Sequence, residues 1–156
     1  MALITQMTFS GGGIGPDNLL SGIPASKVIH QIPINQELFE ASTTVAALTK
    51  MLFIAGASGT LKAFEGITIT PATGADRTVS VDLQKSTGGG AFATVLSTNI
   101  EMDDNTVART VVSSVFNSTS FVDGDIFQAV VTVAGSAGNQ AIGLLVTLLL
   151  NVNPVS

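Results

Sequence analysis

The sequence predicts an all-β fold: an antiparallel β-sandwich of jelly-roll type, preceded by an extended N-terminal arm. Three observations carry this expectation. From Ala46 onward apolar and polar residues alternate with period two, which places successive side chains on opposite faces of a strand. Clusters of Gly, Pro, Asp, Asn and Ser interrupt that pattern every ten to fifteen residues or so. Between them there is no long stretch of helical spacing, and many short strands without helices indicate a sandwich or jelly roll.

Residues 1–36 differ from the remainder and are read as the arm, with 37–156 as the sandwich domain. Ser10-Gly11-Gly12-Gly13, Gly15-Pro16-Asp17-Asn18, Gly22, Pro24 and Pro33 break the arm too often for a helix or a long strand. Yet Leu3, Ile4, Met7, Phe9, Ile14, Leu19, Leu20 and Ile23 make it more apolar than a disordered tail. These eight residues are therefore expected to form an interface with a neighbouring subunit, with packing onto the arm's own domain as the alternative.

The first strand candidate is Val45 to Ile54, ended by Ala55-Gly56-Ala57-Ser58-Gly59; one short helix within Glu37 to Thr49 is an alternative for its approach. Leu61 to Thr70 sets Leu61, Ala63, Glu65, Ile67 and Ile69 on one face, and Pro71-Ala72-Thr73-Gly74 closes it. Arg77 to Lys85 alternates cleanly, with Val79, Val81 and Leu83 inward and Thr78, Ser80, Asp82 and Gln84 outward. Ser86-Thr87-Gly88-Gly89-Gly90 predicts a hairpin, because glycine alone takes positive φ without steric cost, and Ala91 to Ile100 returns as the partner. Asp103-Asp104-Asn105 turns into Val107 to Phe116, and Phe121-Val122 leads to the Asp123-Gly124-Asp125 corner. Ile126 to Val133 and Ala141 to Val152 complete the set.

Composition narrows the function. Asp, Glu, Lys and Arg make up 11% of the chain, against about 25% in a typical soluble domain. Hydrophobic residues reach 46%, and the polar remainder is mostly Ser, Thr, Asn and Gly. A surface so poor in charge suits a subunit covered by copies of itself or by a host scaffold. The net charge of −5 and six scattered Lys and Arg argue against binding nucleic acid. Met-Ala-Leu-Ile-Thr-Gln at the start does not read as a secretory signal. The most apolar run, Ala141 to Val152, is far short of the ~20 residues of a membrane-spanning helix, so no membrane partner is expected.

The residues offer little chemistry. The chain has no Cys, Trp or Tyr and a single histidine, His30, in an apolar segment where a packed or interface role is simpler than that of a general base. Asp123, Asp125 and Asp103 place oxygen ligands in turns that a hard cation such as calcium favours, but Asp and Asn are also ordinary turn formers, and no metal is assigned. The glycine clusters at 11–13 and 88–90 lack the sequence of a phosphate-binding loop. Glu37, Glu40, Glu65 and Glu101 show no spacing that fixes a pair for glycoside hydrolysis. Neither a catalytic residue nor a cofactor is expected. The eight phenylalanines are spread through the strand pattern as core anchors, with some free to serve an interface.

With its apolar Gly/Pro-rich arm and the Ser/Thr/Gly/Val-rich strands that follow, notably Arg77-Thr78-Val79-Ser80-Val81-Asp82-Leu83-Gln84-Lys85-Ser86-Thr87-Gly88-Gly89-Gly90-Ala91-Phe92, the chain resembles the capsid cement or decoration proteins of tailed phages. The resemblance implies a jelly-roll-like sandwich forming dimers or trimers on the outer surface of an icosahedral head. Its partner would be the major capsid protein and its place the virion surface, after synthesis in the host cytoplasm. The alternatives are a tail or fibre adhesin for a host-surface glycan or protein, and a hydrolytic enzyme on the same sandwich.

Overall fold

The computed structural model describes residues 30–136 and 138–153; the eight arm residues from Leu3 to Ile23 lie outside them. It is all-β, with antiparallel sheets that curl into a half-barrel and no helix among the described residues. The strands in chain order are β1 (His30–Thr44), β2 (Leu48–Ile54), β3 (Gly59–Thr70), β4 (Thr78–Ser86), β5 (Ala93–Thr94), β6 (Leu96–Thr98), β7 (Ile100–Asp103), β8 (Val112–Ser113), β9 (Val115–Phe116), β10 (Ser120–Phe121), β11 (Ile126–Ala134) and β12 (Ile142–Val152). One sheet runs β1-β12-β3-β10, with β8 also on β3; the second runs β2-β11-β4-β5, with β7 also on β4; β6 and β9 form a separate pair. The pairing is nested: β1 lies against β12, β2 against β11, β3 against β10 and β4 against β5.

Strand β4 follows its alternation. Val79, Val81 and Leu83 are fully buried, while Thr78, Ser80, Asp82 and Gln84 face partly outward. The glycine turn after it forms as expected, with Gly88 and Gly89 at φ +60° and +75°. The return strand, however, is broken. β5 pairs with β4 for two residues, β6 leaves to join β9, and β7 returns to pair Ile100 with Val81 and Asp103 with Thr78. Val95 and Leu96 are consecutive and both buried. A flat strand cannot bury two neighbours on one face, so the chain kinks there.

Other expectations are corrected. Glu37 to Thr49 holds no helix: β1 crosses its first part and β2 begins at Leu48. The boundary expected at residue 36 falls inside β1, whose first seven residues pair with β12 from Val152 to Val146. Pro33 within β1 fits an edge strand, where its missing N–H disturbs no ladder. In β3 the buried residues are Gly59, Leu61, Phe64, Gly66 and Thr68, and Ala63, Glu65, Ile67 and Ile69 are half-exposed. The register against β12 skips Lys62, and this one-residue bulge inverts the phase beyond Leu61. The expected strand over Val107 to Phe116 reduces to the short β8 and β9.

One apolar cluster draws on both sheets. Phe64, Leu144, Val146 and Leu148 come from the first, and Val79, Val81, Leu83, Ala129 and Val131 from the second. Three phenylalanines fix one end of it: Phe53 of β2 stacks on Phe127 of β11 at 4.8 Å between ring centroids, and Phe121 of β10 meets both edge-on at 6.5 and 5.9 Å. Phe121 and Phe127, both buried, each contribute about 1.5–3 kcal/mol by leaving water.

Candidate interaction surface

The carboxylates singled out in the sequence serve their own turns. Asp103 ends β7, and its Oδ1 accepts from the Thr106 hydroxyl and the Asn105 amide, both at 3.0 Å. The Thr106 hydroxyl, aided by Asn105, holds its carboxyl below the usual range despite partial desolvation. Asp125 is buried at 1% exposure. Its Oδ2 accepts from the Val122 amide at 3.0 Å and lies 3.3 Å from Lys85 Nζ. Burial alone would raise its pKa, but the Val122 amide, the Thr87 hydroxyl and the Lys85 cation together bring it below the ordinary carboxylate value. Asp123 is exposed beside it. Among the described residues no group of three His, Cys, Asp or Glu side chains comes close enough to hold a metal ion.

His30 is exposed at the start of β1, opposite Val152, and so is not packed in the core. Glu37 and Glu40 lie on β1, Glu65 on β3 and Glu101 on β7, spread over both sheets. The Glu65 carboxylate accepts from the Ser113 hydroxyl at 3.3 Å.

The most distinctive surface is apolar. A groove of about 310 Å³ opens between the β1 and β2 edges, with Ile32, Ile34 and Val152 on one wall, Phe53 and Ile54 on the other, and Phe121 at its floor. Every residue that lines it is apolar or glycine. Small-molecule sites carry a few convergent polar groups that orient the ligand. This groove offers no polar side chain for that purpose, and its side chains suit apolar contact. Ile54 is 68% exposed and Ile32 43% exposed, leaving its rim uncovered. A smaller hollow of about 180 Å³ lies between Glu65, Ile67, Val111, Leu145 and Thr147 on the outer face of the β3–β12 pair.

Sequence reasoning missed the groove. The available signal was Phe53-Ile54: in a strand two adjacent large apolar residues cannot both face one core, so one of them must look outward. Comparison with protein families, with curated proteins and with solved structures gave no match.

Proposed function

We propose that this chain is a structural subunit of a virus head, a cement or decoration protein with a jelly-roll sandwich that binds the outer surface of an icosahedral shell and stabilises the joints between capsid subunits. The nested pairing of β1 with β12, β2 with β11, β3 with β10 and β4 with β5 supports the jelly-roll reading, because it is the order left when one long hairpin is rolled into two sheets. A fold of this type hosts many functions, so the functional reading rests on the surface instead.

The observation that carries it is the groove at the β1–β2 edge, lined without a single polar side chain. Together with a charged fraction of 11%, it supports a chain whose work is adhesion. Apolar contact at about 25 cal/mol per Å² stabilises a joint once ordering costs are met, and repetition around a shell multiplies the effect. The partner is the major capsid protein, and the chain acts as a dimer or trimer without cofactor or catalysis.

The test mixes the purified chain with heads assembled in its absence, followed by co-sedimentation and electron microscopy. Regular occupancy of the outer surface and a higher temperature of head rupture are expected. A chain that leaves the heads bare, yet adheres to host cells, is an adhesin and ends the cement reading. Removal of residues 1–29 is the informative truncation, since a cut at 36 would also remove half of β1.

A further inference from the structure

We infer that the groove between β1 and β2 receives the N-terminal arm of a second copy of this chain, with Leu19, Leu20 and Ile23 as the inserted side chains. The inference rests on the reading of the chain as an assembled subunit and names the contact that assembles it.

The groove and the arm match in chemistry. The side chains of Ile32, Ile34, Phe53, Ile54, Phe121 and Val152 are all apolar, and the Leu19-Leu20-Ser21-Gly22-Ile23 segment brings three branched apolar side chains with no charge among them. The place where the arm joins the fold matches as well. Ile34 and Ile32 line the groove, and two residues further back stands His30, exposed, where residues 1–29 join β1.

Ala25-Ser26-Lys27-Val28-Ile29 contains no Gly, Pro, Asp or Asn, so the sequence offers no strong turn until Pro24 and Gly22. At ~3.3 Å per residue, a stretch of this length can reach on the order of 20 Å when extended. A two-fold axis close to the rim brings two grooves and two arm origins together, so each arm reaches its neighbour's groove over a short path and the exchange is reciprocal. The same edge carries Met51, exposed at the surface of β2, which extends the apolar contact beyond the groove itself.

The chain has no cysteine, which makes a directed test clean. Three single variants of the full chain are prepared: Leu20→Cys in the arm, Ile54→Cys at the groove, and Val111→Cys at an exposed site outside the groove. Leu20→Cys mixed with Ile54→Cys and treated with a short bismaleimide should give a covalent dimer of twice the 15.9 kDa chain mass, at least tenfold above the yield with Val111→Cys. In light scattering, Ile54→Asp should lower the native mass of the full chain at least twofold; Ile54 is exposed, so its replacement leaves the fold intact. Absence of the selective cross-link overturns the inference. So does internal closure within a monomer of the Leu20→Cys, Ile54→Cys double variant, which would mean that each arm fills its own groove. Cross-linking by a chain that ignores capsids would sink the head-binding reading alone, whereas decorated heads without the cross-link would sink arm exchange alone.

Discussion

Lys85 and Asp125 meet 3.3 Å apart where β4 ends and β11 is about to begin, and Lys85 Nζ also donates to the Ser120 carbonyl at 3.0 Å. One ammonium thus ties β4 of the second sheet to β10 of the first, and the carboxylate that neutralises it grips the Val122 amide within the same corner. The segment 120–125, which reads in sequence as a loose Asp-Gly-Asp turn, is a charged clasp between sheets.

Loss of either partner should destabilise the fold, but unequally. Lys85 is 20% exposed on its side chain and can turn toward water, whereas Asp125 at 1% cannot. Lys85→Met strands a buried carboxylate and should cost about 3 kcal/mol. Asp125→Asn keeps a carbonyl for the Val122 amide and should cost about half as much. Urea denaturation of the two variants checks the order; equal costs would mean that the carboxylate relaxes toward solvent.

The clasp also sets a pH dependence. A carboxyl whose folded pKa lies below its unfolded value of ~3.9 stabilises the fold above that value, and the contribution disappears as pH falls through the lower folded pKa. Thermal melting should therefore be level from pH 7 to about pH 4.5 and decline below it. In Asp125→Asn part of the acid decline should vanish; the remainder includes Asp103, whose pKa is lowered in the same sense.

The fold was legible wherever one strand met one solvent-facing side, as in β4, whose alternation matches its burial from Thr78 to Gln84. It was illegible where the register depends on the partner strand. Nothing around Lys62 announces the bulge that inverts β3, since a bulge is a relation between two strands rather than a property of one. Strand β1 was hidden because its exposed edge residues and Pro33 break the apolar rhythm, and its order comes from Leu144 to Val152 more than a hundred residues away. The carboxylates were visible as turn residues, but the partner that sets Asp125 apart, Lys85, is forty positions distant in the chain.

Gly143 should prove intolerant of any side chain. It lies inside β12 at φ +65°, where the register against β1 shifts between Phe39 and Thr44. An added Cβ would approach the Ile69 side chain at 2.7 Å and the Ala41 backbone at 3.1 Å. Gly143→Ala combines backbone strain with this crowding and should cost about 1–3 kcal/mol. Denaturant unfolding measures it; a neutral result would mean that β12 straightens and abandons the bend.

The phenylalanine trio separates stability from assembly. Phe127 is fully buried against Phe53 and Phe121, so Phe127→Ala should cost about 3–5 kcal/mol and act on folding alone. Phe53 is only half-buried and also forms a wall of the groove. Phe53→Ala should therefore cost less in unfolding, roughly 1–2 kcal/mol for the part of the ring it buries, yet reduce the native mass under conditions where the chain remains folded. Because the rings stack at 4.8 Å, the double variant should lose about 0.5–1.5 kcal/mol less than the two single losses together. Circular dichroism paired with light scattering on the same samples decides the matter. A Phe53→Ala protein that keeps its full assembly would show that this wall carries no intermolecular contact.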